Sequence, residues 1–250
     1  MPVDELKGEV ALVTGGAHNI GRAICLDLAD AGAAVVVNAL SSGAAAQALA
    51  DEIEAAGGQA MAVVADICDP KAVERMVAAI VERFGTLTIL VNNACVRGIT
   101  RIEDLTLAEW RRISAPTLEG TFLCSQAAVP HMRAAGRGVI LSLGGISSHT
   151  GTPGRTHVAA ANVGIIGFSK ALAHEVGMDG IRVNVLVPGH IDTDRGAAAG
   201  SRPAHKLDFL VEDRMGRPQE VAAMVRALCG PAGRYMTGQT VHVNGGAYLP

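Results

Sequence analysis

Short runs of aliphatic and β-branched residues alternate with longer segments of helical periodicity along the whole 250-residue chain. The apolar runs predict strands at residues 10–13, 34–38, 60–65, 87–91, 139–143, 181–187 and 240–243. The segments between them predict helices at residues 20–31, 44–56, 71–84, 117–134, 158–176 and 219–229. Such alternation is typical of βαβ units. We therefore predict one α/β domain over residues 1–250, a doubly wound, seven-stranded parallel sheet with helices on both faces.

Composition agrees with a buried sheet and argues against several classes of partner. Hydrophobic residues make up 49% of the chain and aromatic residues only 3%, so Ala, Val, Ile and Leu must fill the core. A net charge of -3 argues against a nucleic-acid partner, which needs a basic face. The sequence contains neither a signal-peptide pattern nor an apolar stretch of the roughly 18 residues that cross a membrane.

The five cysteines are scattered without CxxC spacing. They lie in apolar segments, which favours buried, reduced thiols over disulfides or a metal site. We expect a cytoplasmic protein that binds no metal, nucleic acid or membrane.

A glycine-containing turn, Thr14 to Gly21, joins the first predicted strand to the first predicted helix. Further motifs follow later strands: Asp66 and Ile67, Asn92 to Ala94, residues 188–193 and residues 243–246. Together they resemble the short-chain dehydrogenase/reductase family over essentially the whole chain, and most closely its ketoacyl-reductase and hydroxyacyl dehydrogenase type.

The resemblance implies a Rossmann fold with a nicotinamide nucleotide at the carboxyl ends of the strands. The implied nucleotide contacts are Gly15, His18, Asn19, Ile20, Gly21, Asp66, Ile67, Asn92, Ala94, Pro188, Gly189, Ile191 and Thr193.

The nucleotide motif departs from the family pattern at several places. Asn19 replaces the glycine that lets the backbone approach the pyrophosphate, although Asn tolerates left-handed conformations. Cys95 replaces the glycine of the family's NNAG motif. Residues 38–42 offer no carboxylate for a ribose 2′-hydroxyl and no Arg for a 2′-phosphate. The glycine-containing turn is equally compatible with a structural role, in which it packs the first helix against the first strand and binds no nucleotide. Asp66 is equally compatible with a turn at the end of a strand. We expect no nucleotide, or weakly bound NAD(P).

The implied catalytic positions have also changed. The family uses a Tyr as acid/base, with a Lys, a Ser and an Asn. A gap-free match over residues 153–175 puts Val158 at the Tyr position and Asn162 at the Lys position. The same comparison puts Gly145 at the Ser position and Thr117 at the Asn position. Only Thr117 retains a hydrogen-bonding role, and Pro116 is expected to kink the helix beside it.

The favoured hypothesis is therefore a pseudoenzyme subunit without catalytic residues. It would support an active homologous dehydrogenase acting on a hydroxyacyl or ketoacyl thioester, in a heterotetramer or a self-oligomer. The chain resembles the degenerate half of heteromeric pairs in this family, such as hydroxybenzylsuccinyl-CoA dehydrogenase. One alternative is an NAD(P)-dependent oxidoreductase with a non-standard catalytic site. Another is different chemistry or small-molecule binding in the old pocket, where His149, His157 and His190 supply imidazoles.

Overall fold

The structure is a computed structural model that describes residues 4–194, 211 and 214–250. Its seven parallel strands lie in the order β3-β2-β1-β4-β5-β6-β7, which confirms the predicted fold class. The strands are β1 (Val10–Val13), β2 (Ala34–Ala39), β3 (Gln59–Val64), β4 (Ile89–Asn92), β5 (Gly138–Leu143), β6 (Ile181–Pro188) and β7 (Thr240–Val243). Because the chain winds outward from β1 to β3 and then returns to β4, the strand order reverses between β1 and β4. This reversal is the place where doubly wound sheets bind ligands.

Seven α-helices connect the strands in the part of the chain that is described. They are α1 (Asn19–Asp30), α2 (Gly43–Ala55), α3 (Pro70–Phe84), α4 (Leu107–Ala135), α5 (Ser147–Thr150), α6 (Thr156–Val176) and α7 (Pro218–Cys229). The short helix α5 was not predicted, because four residues carry too little periodicity to stand out. None of the helices in the described ranges is long and apolar enough to cross a membrane.

Helix α4 is ten residues longer at its start than the pattern predicted. Thr106 caps it, because its hydroxyl oxygen accepts a hydrogen bond from the Glu109 backbone N–H at 3.1 Å. One helix then runs through Pro116, whose ring removes a single backbone donor. The predicted start at Thr117 was wrong, because the helix begins after the Thr106 cap and continues through Pro116.

Alternating strand residues send side chains to two cores on opposite faces of the sheet. Val13 of β1 packs in the core that also contains Leu28 of α1 and Val225 of α7. Leu12, its neighbour, packs in the core that contains Met132 of α4. This alternation is what a parallel sheet covered on both faces requires.

The cysteines only partly follow the prediction that they are buried. Cys25, Cys124 and Cys229 are buried, whereas Cys68 is half-buried and Cys95 is exposed. All five are free thiols. Cys95 follows β4 at the end of the sheet where loops, rather than helices, cover the strands, and the apolar segment before it gave no sign of this exposure.

Candidate functional site

Two loops meet at the point where the strand order reverses, one after β1 and one after β4. The Thr14 hydroxyl oxygen accepts hydrogen bonds from the backbone N–H groups of Asn93 at 3.0 Å and Ala94 at 3.1 Å. The Asn93 side-chain amide donates in return to the carbonyl oxygens of Thr14 and Gly15, both at 3.0 Å. These bonds fix the floor of a crevice at the carboxyl ends of β1 and β4.

The turn after β1 depends on two of its glycines. Gly15 has a φ of +61°, and a Cβ on it would lie 3.0 Å from the Ala94 Cα. A Cβ on Gly21 would lie 2.3 Å from the Gly15 carbonyl oxygen, so α1 approaches the turn too closely for any side chain. The N-terminus of α1 therefore opens onto the crevice, where its free N–H groups suit a phosphate.

Asn19 stands in the same turn with a φ of +50°, so Asn supplies the left-handed backbone that a glycine would supply. Its side chain bonds to the loop after β6. The Asn19 amide nitrogen donates to the Asp194 carbonyl oxygen at 3.0 Å, and the Asp194 backbone N–H donates to the Asn19 amide oxygen at 2.9 Å. Sequence reasoning missed this contact, because no local pattern links residues so far apart in the chain.

The residues expected around the adenosine moiety mainly make hydrogen bonds within the protein. Asn38 at the end of β2 accepts from the Gly15 N–H at 3.4 Å and donates to the Ala65 carbonyl at 3.1 Å. Asp66 accepts from the Cys68 N–H at 2.8 Å, which is the strand-end turn role considered from sequence. His18 and Asn19 are exposed, Ile20 is half-buried, Ile67 is buried and Asn92 is buried.

The segment after β6 forms the other wall of the crevice. Gly189 passes so close to Asn244 that a Cβ on it would lie 2.6 Å from the Asn244 Cα. Ile191 pairs with Gly216 in an isolated bridge. Pro188 and Thr193 are buried, and Thr193 lies one residue before the contact with Asn19.

The structure brings three of the four family catalytic positions together. The Asn162 amide nitrogen donates to the Val158 carbonyl at 3.0 Å. A Cβ on Gly145 would lie 3.4 Å from the same nitrogen. Thr117 is buried on α4, the helix that packs against α6. The cluster of Gly145, Val158 and Asn162 contains no titratable side chain and no positive charge.

The candidate histidines lie in separate surroundings. His157 is fully buried, and its Nε2 lies 3.1 Å from where a Cβ on Gly98 would stand. Burial lowers the pKa of His157, and neither ring nitrogen has a hydrogen-bond partner among the described residues. His190 is half-buried, and its carbonyl accepts from the Gly216 N–H at 2.9 Å.

His149 belongs to an aromatic cluster that the sequence did not suggest. Its ring centroid lies 4.7 Å from that of His242 on β7 and 5.2 Å from that of Tyr248. The His242 and Tyr248 rings are also 5.2 Å apart. Burial lowers the pKa of His242, and the nearby His149 lowers it further. Across the described ranges, no group of three or more His, Cys, Asp or Glu residues could hold a metal ion.

Comparison with known proteins finds relatives that match nearly the whole chain. The family model described as Enoyl-(Acyl carrier protein) reductase matches residues 15–248. A 3-oxoacyl-[acyl-carrier-protein] reductase of Synechocystis is 38% identical over 245 residues, which cover 98% of each chain. The chain belongs to the short-chain dehydrogenase/reductase family. The 3-oxoacyl-[acyl-carrier-protein] reductase FabG of Vibrio cholerae is likewise 38% identical, over 98% of this chain and 99% of its own.

Two similar structures hold a nucleotide. A short-chain dehydrogenase from Burkholderia cenocepacia in complex with NADP is 37% identical, with a TM-score of 0.90 over 97% of this chain and 99% of its own. A blue fluorescent protein from a metagenomic library in complex with NADPH is 35% identical, with a TM-score of 0.89 over 98% of this chain and all of its own. The family resemblance drawn from the sequence is thus confirmed.

Proposed function

We propose that the chain is a non-catalytic subunit of a dehydrogenase complex, in which an active homologous subunit acts on a hydroxyacyl or ketoacyl thioester. One observation carries the proposal. The residues at the family's Tyr, Lys and Ser positions are Val158, Asn162 and Gly145, which lie together and offer no titratable proton and no charge.

The family's Tyr, Lys and Ser side chains, which this chain lacks, supply much of the rate enhancement of the family's reaction. A phenol with a pKa near 10 needs a neighbouring positive charge before it can transfer protons at neutral pH. General acid–base catalysis contributes roughly 10²- to 10⁴-fold, and polarisation of the carbonyl contributes comparable factors. The Asn162 amide is neutral and already donates to its own helix. Val158 and Gly145 have no polar side-chain atom, so these three positions supply no acid–base group and no positive charge.

Nucleotide binding by this chain is proposed to be weak or absent. The turn fits a pyrophosphate, because Gly15 and Gly21 keep the backbone close and α1 begins there. A bound nicotinamide nucleotide would supply the hydride. However, Asn38 is committed to backbone partners, and no carboxylate or Arg after it selects a ribose. The NADP and NADPH of the two similar structures belong to those proteins.

The surface of α4 and α6 supports a subunit role. These two helices pack against each other, yet Phe122 on α4 is 46% exposed and Val163 on α6 is 50% exposed. A homologous partner with the same helices can dock on this surface through a quasi-twofold axis. The proposal therefore pairs this chain with an intact relative in a heterotetramer, with self-assembly as the simpler form.

Co-expression with an intact homologous dehydrogenase tests the subunit role. We expect the two chains to elute together in size exclusion, and the partner to lose activity when this chain is omitted. Phe122→Glu should separate them, because it puts a charge into an apolar interface. Glu82→Gln, at an exposed position on α3, is the matched control and should leave the complex intact. A monomeric chain whose omission leaves the partner unchanged would refute the proposal.

The relatives favour a second candidate, an NAD(P)-dependent oxidoreductase with a non-standard catalytic site. The two named reductases are 38% identical to this chain, and their names support an active enzyme better than a pseudoenzyme. Ser147 offers a hydroxyl oxygen 4.0 Å from where a Cβ on Gly145 would stand. In this case Ser147 and Asn162 would hydrogen-bond the carbonyl oxygen, while NADPH would supply the hydride to the carbon and solvent water the proton to the oxygen. A single-turnover reaction with NADPH that is lost in Ser147→Ala would establish this candidate, and no hydride transfer in excess enzyme would exclude it.

A further inference from the structure

Asn19 and Asp194 join the two walls of the nucleotide crevice. Asn19 lies in the turn after β1, and Asp194 ends the described part of the loop after β6. The two hydrogen bonds between them, at 3.0 and 2.9 Å, run in opposite directions and use both polar atoms of the Asn19 amide. Both bonds use the backbone of Asp194, so they depend on the path of the loop and not on its side chain.

The Asn19–Asp194 contact affects nucleotide binding because it lies in the turn that approaches the pyrophosphate in dinucleotide-binding folds. In dinucleotide-binding folds the second glycine of the turn lets the backbone approach the pyrophosphate, and here that residue is Asn19. Its φ of +50° keeps the turn, while its side chain spans from the turn to the loop that forms the opposite wall. The contact thus lies beside the N-terminus of α1, where a pyrophosphate would bind.

We propose that Asn19 is a latch that holds residues 188–194 against the glycine turn and keeps the nucleotide crevice closed in the free subunit. A ligand that opens the crevice loses both hydrogen bonds, and its apparent affinity falls by the equilibrium constant of closure. The inference rests on the weak nucleotide binding proposed above and assigns a cause to it. Weak binding would then follow from a closed crevice rather than from a side chain lodged in the pyrophosphate site.

Asn19→Gly is the decisive variant. Glycine adopts the same positive φ without strain, so the substitution removes the latch and leaves the turn. Asp194→Glu is the matched control, because it keeps the charge and both backbone partners of Asn19. Asp194→Pro is a second test variant, because it removes the N–H that donates to the Asn19 amide oxygen.

Two measurements are needed, hydrogen exchange of residues 188–194 and calorimetric titration with NADP⁺. With Asn19→Gly we expect exchange of the Asp194 amide to be about tenfold faster and NADP⁺ to bind about tenfold more tightly. Asp194→Pro should bind NADP⁺ more tightly than the wild type, and Asp194→Glu should match the wild type in both measurements.

Three results would overturn the latch. Unchanged exchange in Asn19→Gly would show that the contact does not hold the loop. Faster exchange with unchanged or weaker NADP⁺ binding would show that the contact does not close the crevice. If neither wild type nor Asn19→Gly binds NADP⁺ at millimolar concentration, Asn19 is not what limits binding. The proposed subunit role would survive all three, because it rests on Gly145, Val158 and Asn162 and is tested by the partner's activity.

Discussion

Arg226 on α7 joins three parts of the chain, and replacing it should destabilise the fold. Its side chain is only 7% exposed. The guanidinium Nε donates to the Glu5 carboxylate, and Nη1 donates to Asp27 and Asp30 of α1, each at 3.1 Å. These bonds to carboxylates raise the pKa of Arg226, with Glu5 as the largest cause. Arg226→Met keeps the length and apolar stem of the side chain and removes the charge.

The surroundings of the three carboxylates set the size of the effect. Glu5 is only 10% exposed, so the substitution leaves a nearly buried carboxylate without its cation. Removing one partner of a buried ion pair costs about 3–5 kcal/mol. Asp30 is 73% exposed, and its pair contributes at most about 1 kcal/mol. We therefore expect the free energy of unfolding to fall by about 3–5 kcal/mol, most of it from Glu5.

Urea unfolding followed by circular dichroism measures this loss directly. Glu5→Gln should cost less than Arg226→Met, because a neutral amide replaces the stranded carboxylate. In the double variant, part of the two losses should cancel, and the cycle gives the coupling energy of the pair. A loss below about 1 kcal/mol in Arg226→Met would show that the fold does not depend on the pair with Glu5, because exposed surface ion pairs contribute this little.

Three further predictions concern the crevice, the aromatic cluster and the thiols. Gly21→Ala should prevent folding or lower the melting temperature sharply, since its Cβ would lie 2.3 Å from a backbone oxygen; thermal unfolding checks this. The pKa of His242 is lowered in the fold. Its contribution to the free energy of unfolding is therefore full above the unfolded pKa of about 6.5 and is lost as pH falls towards the folded pKa. Urea unfolding at about pH 7.5 and pH 5 should show that stability falls less with pH in His242→Phe than in the wild type. Burial raises the pKa of Cys124 to about 12, whereas Cys95 is exposed; a thiol reagent near neutral pH should therefore label Cys95 at once and Cys124 only after unfolding.

The strands of the sheet could be predicted closely from the sequence because a doubly covered sheet imposes continuous apolar runs. β1 and β7 have the predicted bounds, and β4 is displaced by only one or two residues. Helix α4 shows where this reasoning fails. The helical periodicity predicted a start at Thr117, but the cap at Thr106 sets the start at Leu107. A proline inside a helix removes a backbone hydrogen bond, and the tertiary packing that tolerates it is not contained in a local pattern.

The candidate site likewise has features that the sequence shows and contacts that it does not show. The identities of Val158 and Asn162 are visible in the sequence, and a motif match is enough to locate them. Contacts between distant segments are not visible. The Asn19–Asp194 bonds and the packing of His149 against His242 depend on how loops from different strands meet at the edge of the sheet. Neither the periodicity nor the spacing of residues specifies which loops contact each other.

Turnover by the purified chain alone is the most direct test of whether it is a pseudoenzyme. The assay follows NADPH oxidation with a 3-oxoacyl thioester, and the chain is prepared from a host whose own reductases have been removed. We expect no rate above that of buffer, because Gly145, Val158 and Asn162 provide neither a titratable proton nor a positive charge. A rate that follows the protein through successive purification steps and is lost in Asn162→Ala would contradict it, and would identify the chain as an active reductase.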